Sequence, residues 1–179
     1  MNCPTGLKEV IEMKKLALAA LTLSSLTFAT SIRNTAAELV DSPLHYDTDP
    51  ATIIRVAADG EVFGAKCDVL PTRKVVLKDI DYKSCKWTTV KVFTRYEIKK
   101  FNDLVKQAKS GKIVLPRPDQ FHCMAIPSRA YKYTSANGTK LLQSGSYPCG
   151  SVTYNDAPAA RELVKWLQEL KAEYETLVD

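Results

Sequence analysis

The sequence contains little glycine, only an ordinary share of proline and only two histidines. Seven Gly and nine Pro among 179 residues exclude a collagen-like or low-complexity chain, and a hydrophobic content of 45% is too high for a disordered one. No Gly-x-Ser-x-Gly, His-Glu-x-x-His or Gly-rich phosphate-loop motif occurs. The composition is that of a globular protein with one ordinary core and no recognisable catalytic motif.

The N-terminal region predicts export. Met13 and two lysines precede a short apolar run, and the small residues at Thr27 and Ala29 are typical of a signal-peptidase cleavage site. The run is shorter than the roughly 20 residues that a membrane span requires. We therefore expect a signal peptide over 13–29, cleavage after Ala29, and a periplasmic or secreted mature protein without a stable membrane span.

Residues 1–12 precede this signal peptide and need their own explanation. The codons for Lys8-Glu9-Val10 can read as a purine-rich ribosome-binding site, so we interpret residues 1–12 as a mis-called start. The alternative is a genuine N-terminal extension. Loss of residues 1–29 removes three lysines and two glutamates, which lowers the net charge of +5 by one.

The cysteines favour disulfides. None of the five lies in a Cys-x-x-Cys pair, and loss of Cys3 with the prefix leaves an even set, as an oxidising compartment predicts. We expect the pairs Cys67–Cys85 and Cys123–Cys149. Each bridge would close a loop of roughly 20 residues and stabilise the fold by about 3 kcal/mol. We expect no metal and no cofactor.

The first half of the mature chain predicts strands. Residues 30–51 show little periodicity, so we interpret them as an N-terminal arm ahead of a single domain over 52–179. Asp59-Gly60 between two β-rich runs predicts a hairpin with a two-residue turn, in which Val56 lies opposite Phe63. Further β-rich runs then extend an antiparallel sheet.

Two helices are predicted where the spacing of apolar residues changes from that of a strand to that of a helix. The Thr94–Glu97 capping box begins the first helix, apolar residues recur at helical spacing up to Ala108, and Gly111 can supply a left-handed stop. The second helix begins near Asp156, with Pro158 in its first turn and an apolar stripe behind it. The predicted class is α+β: a small antiparallel sheet with two amphipathic helices and two disulfides.

A second hairpin is predicted around Asn137-Gly138. In an unbroken ladder Cys123 and Cys149 would be three positions out of register. We therefore expect bulged residues around Pro127–Arg129 to bring the two cysteines opposite each other.

The second hairpin, the stiff Pro116–Pro118 segment and the lysines of the first helix are the predicted binding surface. Cations interleaved with aromatics also occur in nucleic-acid-binding proteins, but the net charge is mild and an exported protein more often meets anionic envelope polymers. Tyr131 and Tyr133 share one strand face, which is either half-buried core or a ligand surface. The predicted binding residues are Arg117, Arg129, Tyr131, Lys132, Tyr133, Lys99, Lys106 and Lys109.

We expect a non-catalytic binding protein of the cell envelope, and assign no catalytic residue. Its partner would be an envelope protein or an anionic surface polymer, and a protease inhibitor would use a stiff loop such as Pro116–Pro118. The alternative is a small envelope hydrolase that uses His122 with a carboxylate from a distant part of the chain. Asp47 and Asp49 lack the ligand spacing of a calcium loop.

Overall fold

The computed structural model describes residues 34–42, 50–69, 80–115, 128–135, 138–146 and 152–179. Within these ranges eight strands form one antiparallel sheet, accompanied by two helices, which confirms the α+β class with a larger sheet than expected. In chain order the elements are β1 Thr35–Ser42, β2 Ala51–Ala57, β3 Glu61–Cys67, β4 Lys86–Val92, α1 Arg95–Ala108, β5 Ile113–Val114, β6 Ser128–Ser135, β7 Gly138–Ser146, β8 Thr153–Asn155 and α2 Pro158–Val178.

The strands lie side by side in the order β4-β3-β2-β1-β6-β7-β8-β5. The expectation of an irregular arm over 30–51 is therefore wrong for Thr35–Ser42, since β1 lies inside the sheet between β2 and β6. Ala and Glu give this segment little intrinsic strand preference. Pairing on both sides and the burial of Leu39 and Val40 specify the strand instead.

The main core lies between the sheet and the two helices. Leu163, Leu167 and Leu170 of α2 are buried against the sheet, and α1 contributes Phe101 and Leu104 to the same cluster. The two amphipathic helices are thus confirmed, and both cover one face of the sheet. No helix of the described residues is both long and apolar enough to cross a membrane.

A smaller core lies on the opposite face of the sheet. It contains Val40, Ile53 and Ala65 from three neighbouring strands, together with Cys67 and Ile80. The Cys67–Cys85 disulfide, with an S–S distance of 2.06 Å, ties the end of β3 to the residue before β4 and confirms the first predicted bridge. Cys123 and Cys149, the predicted second bridge, lie outside the described residues.

The register of the first hairpin differs from the prediction by one residue. Val56 lies opposite Val62, and Phe63 pairs with Arg55. The amide of Gly60 donates a hydrogen bond to the carbonyl of Ala57 at 3.0 Å, and Gly60 has a φ of 92°. A turn closed by a left-handed glycine makes a three-residue loop, which Asp-Gly fits as well as a two-residue one.

The second hairpin is confirmed, but its bulge is elsewhere. Ser135 lies opposite Gly138, which leaves two residues for the loop. The extra residue is Leu142, because the pairing changes between Lys132 and Tyr131. Ser128 and Arg129 pair without interruption, contrary to the predicted bulge around 127–129. Leu142 is 1% exposed, so the bulge places an apolar side chain in the main core.

The start of α1 is confirmed and its predicted stop is wrong. Thr94 Oγ1 accepts a hydrogen bond from the Glu97 amide at 3.3 Å, and Glu97 Oε2 accepts one from the Thr94 amide at 2.7 Å. Gly111 does not adopt the left-handed conformation, since the only glycines with positive φ among the described residues lie elsewhere. A Cβ at Gly111 would overlap the carboxamide of Asn155, whose Nδ2 donates to the Ala108 carbonyl at 2.9 Å.

Candidate binding surface and pocket

The exposed side of α1 carries a row of cations. Its members alternate at spacings of four and three residues, so they lie on one face of the helix. All are exposed, and we call this row the basic stripe: the cations Arg95, Lys99, Lys106 and Lys109, with the neutral Asn102 between them. At the helical rise of about 1.5 Å per residue the stripe is roughly 21 Å long. It brings together the three helix lysines that the sequence predicted as binding residues.

Few carboxylates neutralise the basic stripe. Lys106 Nζ lies 3.9 Å from Asp103 Oδ1, in a pair exposed enough to contribute little. The ion pair between α1 and α2 joins Glu162 to Lys100, which lies beside the stripe. No ion pair among the described residues involves Arg95, Lys99 or Lys109. The stripe therefore presents net positive charge to solvent.

The tyrosines of the second hairpin lie in the core. Tyr131 and Tyr133 are 1% and 3% exposed, and both belong to the cluster beneath the helices. The hydroxyl of Tyr131 accepts a hydrogen bond from Gln168 Nε2 at 3.0 Å. Burial raises the pKa of Tyr133. Of the two interpretations of their shared face, the structure favours core, so these side chains are not available to a macromolecule at the surface.

The hairpin cations are also engaged or half-buried. Arg129 Nε lies 3.1 Å from Asp41 Oδ1, and Lys171 Nζ approaches the other oxygen of Asp41 at 3.3 Å. Burial lowers the pKa of Arg129, but the charge and hydrogen bond of Asp41, together with smaller contributions from Tyr131, outweigh it and the net shift is upward. Lys132 is half-buried on the opposite face of the sheet, across from Glu38 of β1. Arg117, with the rest of 116–127, lies outside the described residues.

A polar cluster that the sequence reasoning missed lies on this opposite face. Arg55 Nε is 2.6 Å from Glu38 Oε2, and its guanidinium carbon lies 4.7 Å from the ring centre of Trp87 and 5.4 Å from that of Tyr82. Burial, followed by the charge of Glu38, raises the pKa of Tyr82. The only available signal was a charged residue inside each of two central strands. The charges of Arg55 and Glu38 therefore neutralise each other within the sheet.

A pocket of about 360 Å³ lies between β7, β8 and the first turns of α2, and we call it the α2 pocket. Its apolar lining consists of Leu142, Val152, Ala160 and Val164. Polar groups are contributed by Gln143, Tyr154, Asn155 and Arg161. Sequence reasoning missed it because these residues come from three separate stretches, none of which has a local motif.

The described residues hold no group of three or more His, Cys, Asp or Glu side chains that could bind a metal. His122, on which the hydrolase alternative depends, lies outside them, as do His45 and Asp47.

Comparison of the chain with protein-family models, with curated proteins and with solved structures found no match. The basic stripe and the α2 pocket are therefore the features of the molecule that bear on its function.

Proposed function

We propose that this protein is an exported, non-catalytic binding protein of the cell envelope, and that the basic stripe of α1 holds an anionic polymer. The observation that supports this is the row of Arg95, Lys99, Lys106 and Lys109, all exposed along one helix face and weakly neutralised. Pairs between single exposed charges contribute about 0–1 kcal/mol each, so a useful affinity needs several contacts in a row. A polymer with repeated negative charges supplies them.

Nucleic acid fits this surface less well than a simple polyanion. Binding of single strands relies on aromatic side chains that stack on the bases, between the cations that contact the backbone. Tyr131 and Tyr133, the aromatics that suggested such an arrangement, are buried. Of the two aromatics in α1 only Tyr96 is exposed, at 75%, so the surface recognises charge density rather than a series of stacked bases.

Charge reversal tests the stripe. We expect the triple variant Lys99→Glu, Lys106→Glu, Lys109→Glu to bind polyphosphate or poly-glutamate at least about tenfold more weakly than the wild type, and added salt to weaken wild-type binding. The readout is the dissociation constant from titration calorimetry at several salt concentrations.

The matched control reverses three exposed lysines elsewhere, Lys83, Lys86 and Lys140, with the same change in net charge. This control should retain most of the affinity. Equal losses of affinity in both variants would show that only net charge matters. If the stripe variant binds the polymer as tightly as the wild type, α1 is not the binding surface.

Export is tested by the N-terminus of the mature chain. Because the apolar run ends in small residues at Ala29, mass spectrometry of the periplasmic or secreted fraction should find a chain that begins at Thr30. Leu18→Arg, which interrupts the apolar run, should block processing. An intact chain that begins at Met1 and stays in the cytosol would contradict the proposal.

A further inference from the structure

We propose that the α2 pocket binds a small molecule with an apolar body and a single anionic group, such as a medium-chain carboxylate. Ligand pockets in proteins usually enclose roughly 300–1,000 Å³, and this one holds about 360 Å³. It is therefore of the right size for one small molecule and too small for a folded segment or a polymer.

The apolar lining determines the body of the ligand. Leu142 of β7 and Val164 of α2 are almost fully buried and form the floor of the pocket, with 1% and 7% exposure. Together with Val152 and Ala160 they offer the hydrocarbon surface that removes an alkyl chain from water. Gln143 and Tyr154 add neutral polar groups, which orient a ligand without fixing its charge.

Arg161 determines the charge of the ligand. The other cations of α2 are paired, since Lys165 lies 3.8 Å from Glu169, and Lys171 contacts both Asp41 and Glu175. No ion pair among the described residues involves Arg161, and the first turn of α2 contains no acidic residue. A guanidinium binds a carboxylate through two parallel hydrogen bonds.

The position of Arg161 also keeps the desolvation cost of binding an anion low. Its side chain is exposed while it lines the pocket, so the anionic group of a ligand would remain at the mouth, in contact with water. The charge then need not be buried, and only the apolar body enters the protein. This division between an apolar interior and a charged mouth is what an amphiphilic carboxylate matches.

Three probes of equal chain length test the inference on the whole protein: decanoate and decyltrimethylammonium below their micelle concentrations, and decanol below its solubility limit. By titration calorimetry we expect decanoate to bind about tenfold more tightly than decanol, because one charge-assisted contact is added. The cationic probe should not bind. Arg161→Gln should reduce the affinity for decanoate to that for decanol and leave decanol binding unchanged.

Lys165→Gln is the matched control, since it removes one exposed cation one turn further along the same helix. It should bind decanoate as the wild type does, and so should the triple lysine variant of the basic stripe, which separates this inference from the proposed function. The inference is overturned if decanoate does not bind, if Arg161→Gln binds it unchanged, or if Lys165→Gln loses as much affinity. Unchanged circular dichroism of each variant confirms that the fold is intact.

Discussion

Tyr174 of α2 packs directly against the backbone of Gly64 in β3. A Cβ built on Gly64 would overlap the tyrosine ring, and both residues are buried. Helix α2 therefore approaches the sheet closely only because position 64 has no side chain. We expect Gly64→Ala to lower the free energy of unfolding by about 1–3 kcal/mol, the usual cost of an overpacked core, as measured by urea denaturation.

A double variant distinguishes steric overlap from other effects of the substitution. Tyr174→Leu removes the ring and has its own cost, but it leaves room for a methyl group at position 64. The double variant should therefore lose less stability than the sum of the two single variants. Strict additivity, or a Gly64→Ala protein as stable as the wild type, would contradict this account of the contact.

The predictability of single residues depends on how far away their partners lie. Lys99 and Lys106 were predicted as surface residues from the period of their own helix, and they are exposed. Alternation correctly placed Tyr131 and Tyr133 on one face but gave no indication that helices cover it. The partner of Arg129, Asp41, lies 88 residues away, and no local pattern relates the two.

Helices and strands, too, are predictable only where the interactions that specify them are local in sequence. The capping box that begins α1 spans four residues and was predicted from the sequence, since both of its hydrogen bonds are local. The predicted left-handed stop at Gly111 is wrong. Position 111 is occupied by glycine for another reason, because Asn155 approaches too closely to leave room for a side chain. Likewise β1 has little intrinsic preference for a strand and is specified by its neighbours β2 and β6.

Across the whole molecule, one sheet carries a core on each face. The helices cover the larger core, to which the described residues contribute 21 buried side chains. The described part of the smaller core has six, and the Cys67–Cys85 disulfide lies at its edge. Because a small core contributes less burial, we expect the bridge to matter most for the stability of this face.

Removal of this bridge is therefore the test at the scale of the molecule. The Cys67→Ala, Cys85→Ala double variant reopens a loop of 18 residues and should lower the free energy of unfolding by about 3 kcal/mol in urea denaturation.

A reductant should destabilise the wild type by at least as much. In the variant, the reductant should cause a further loss, because we predict that Cys123 and Cys149 form a second bridge. A variant as stable as the wild type would show that the larger core alone maintains the fold. If a reductant does not destabilise the variant, the predicted bridge between Cys123 and Cys149 does not form.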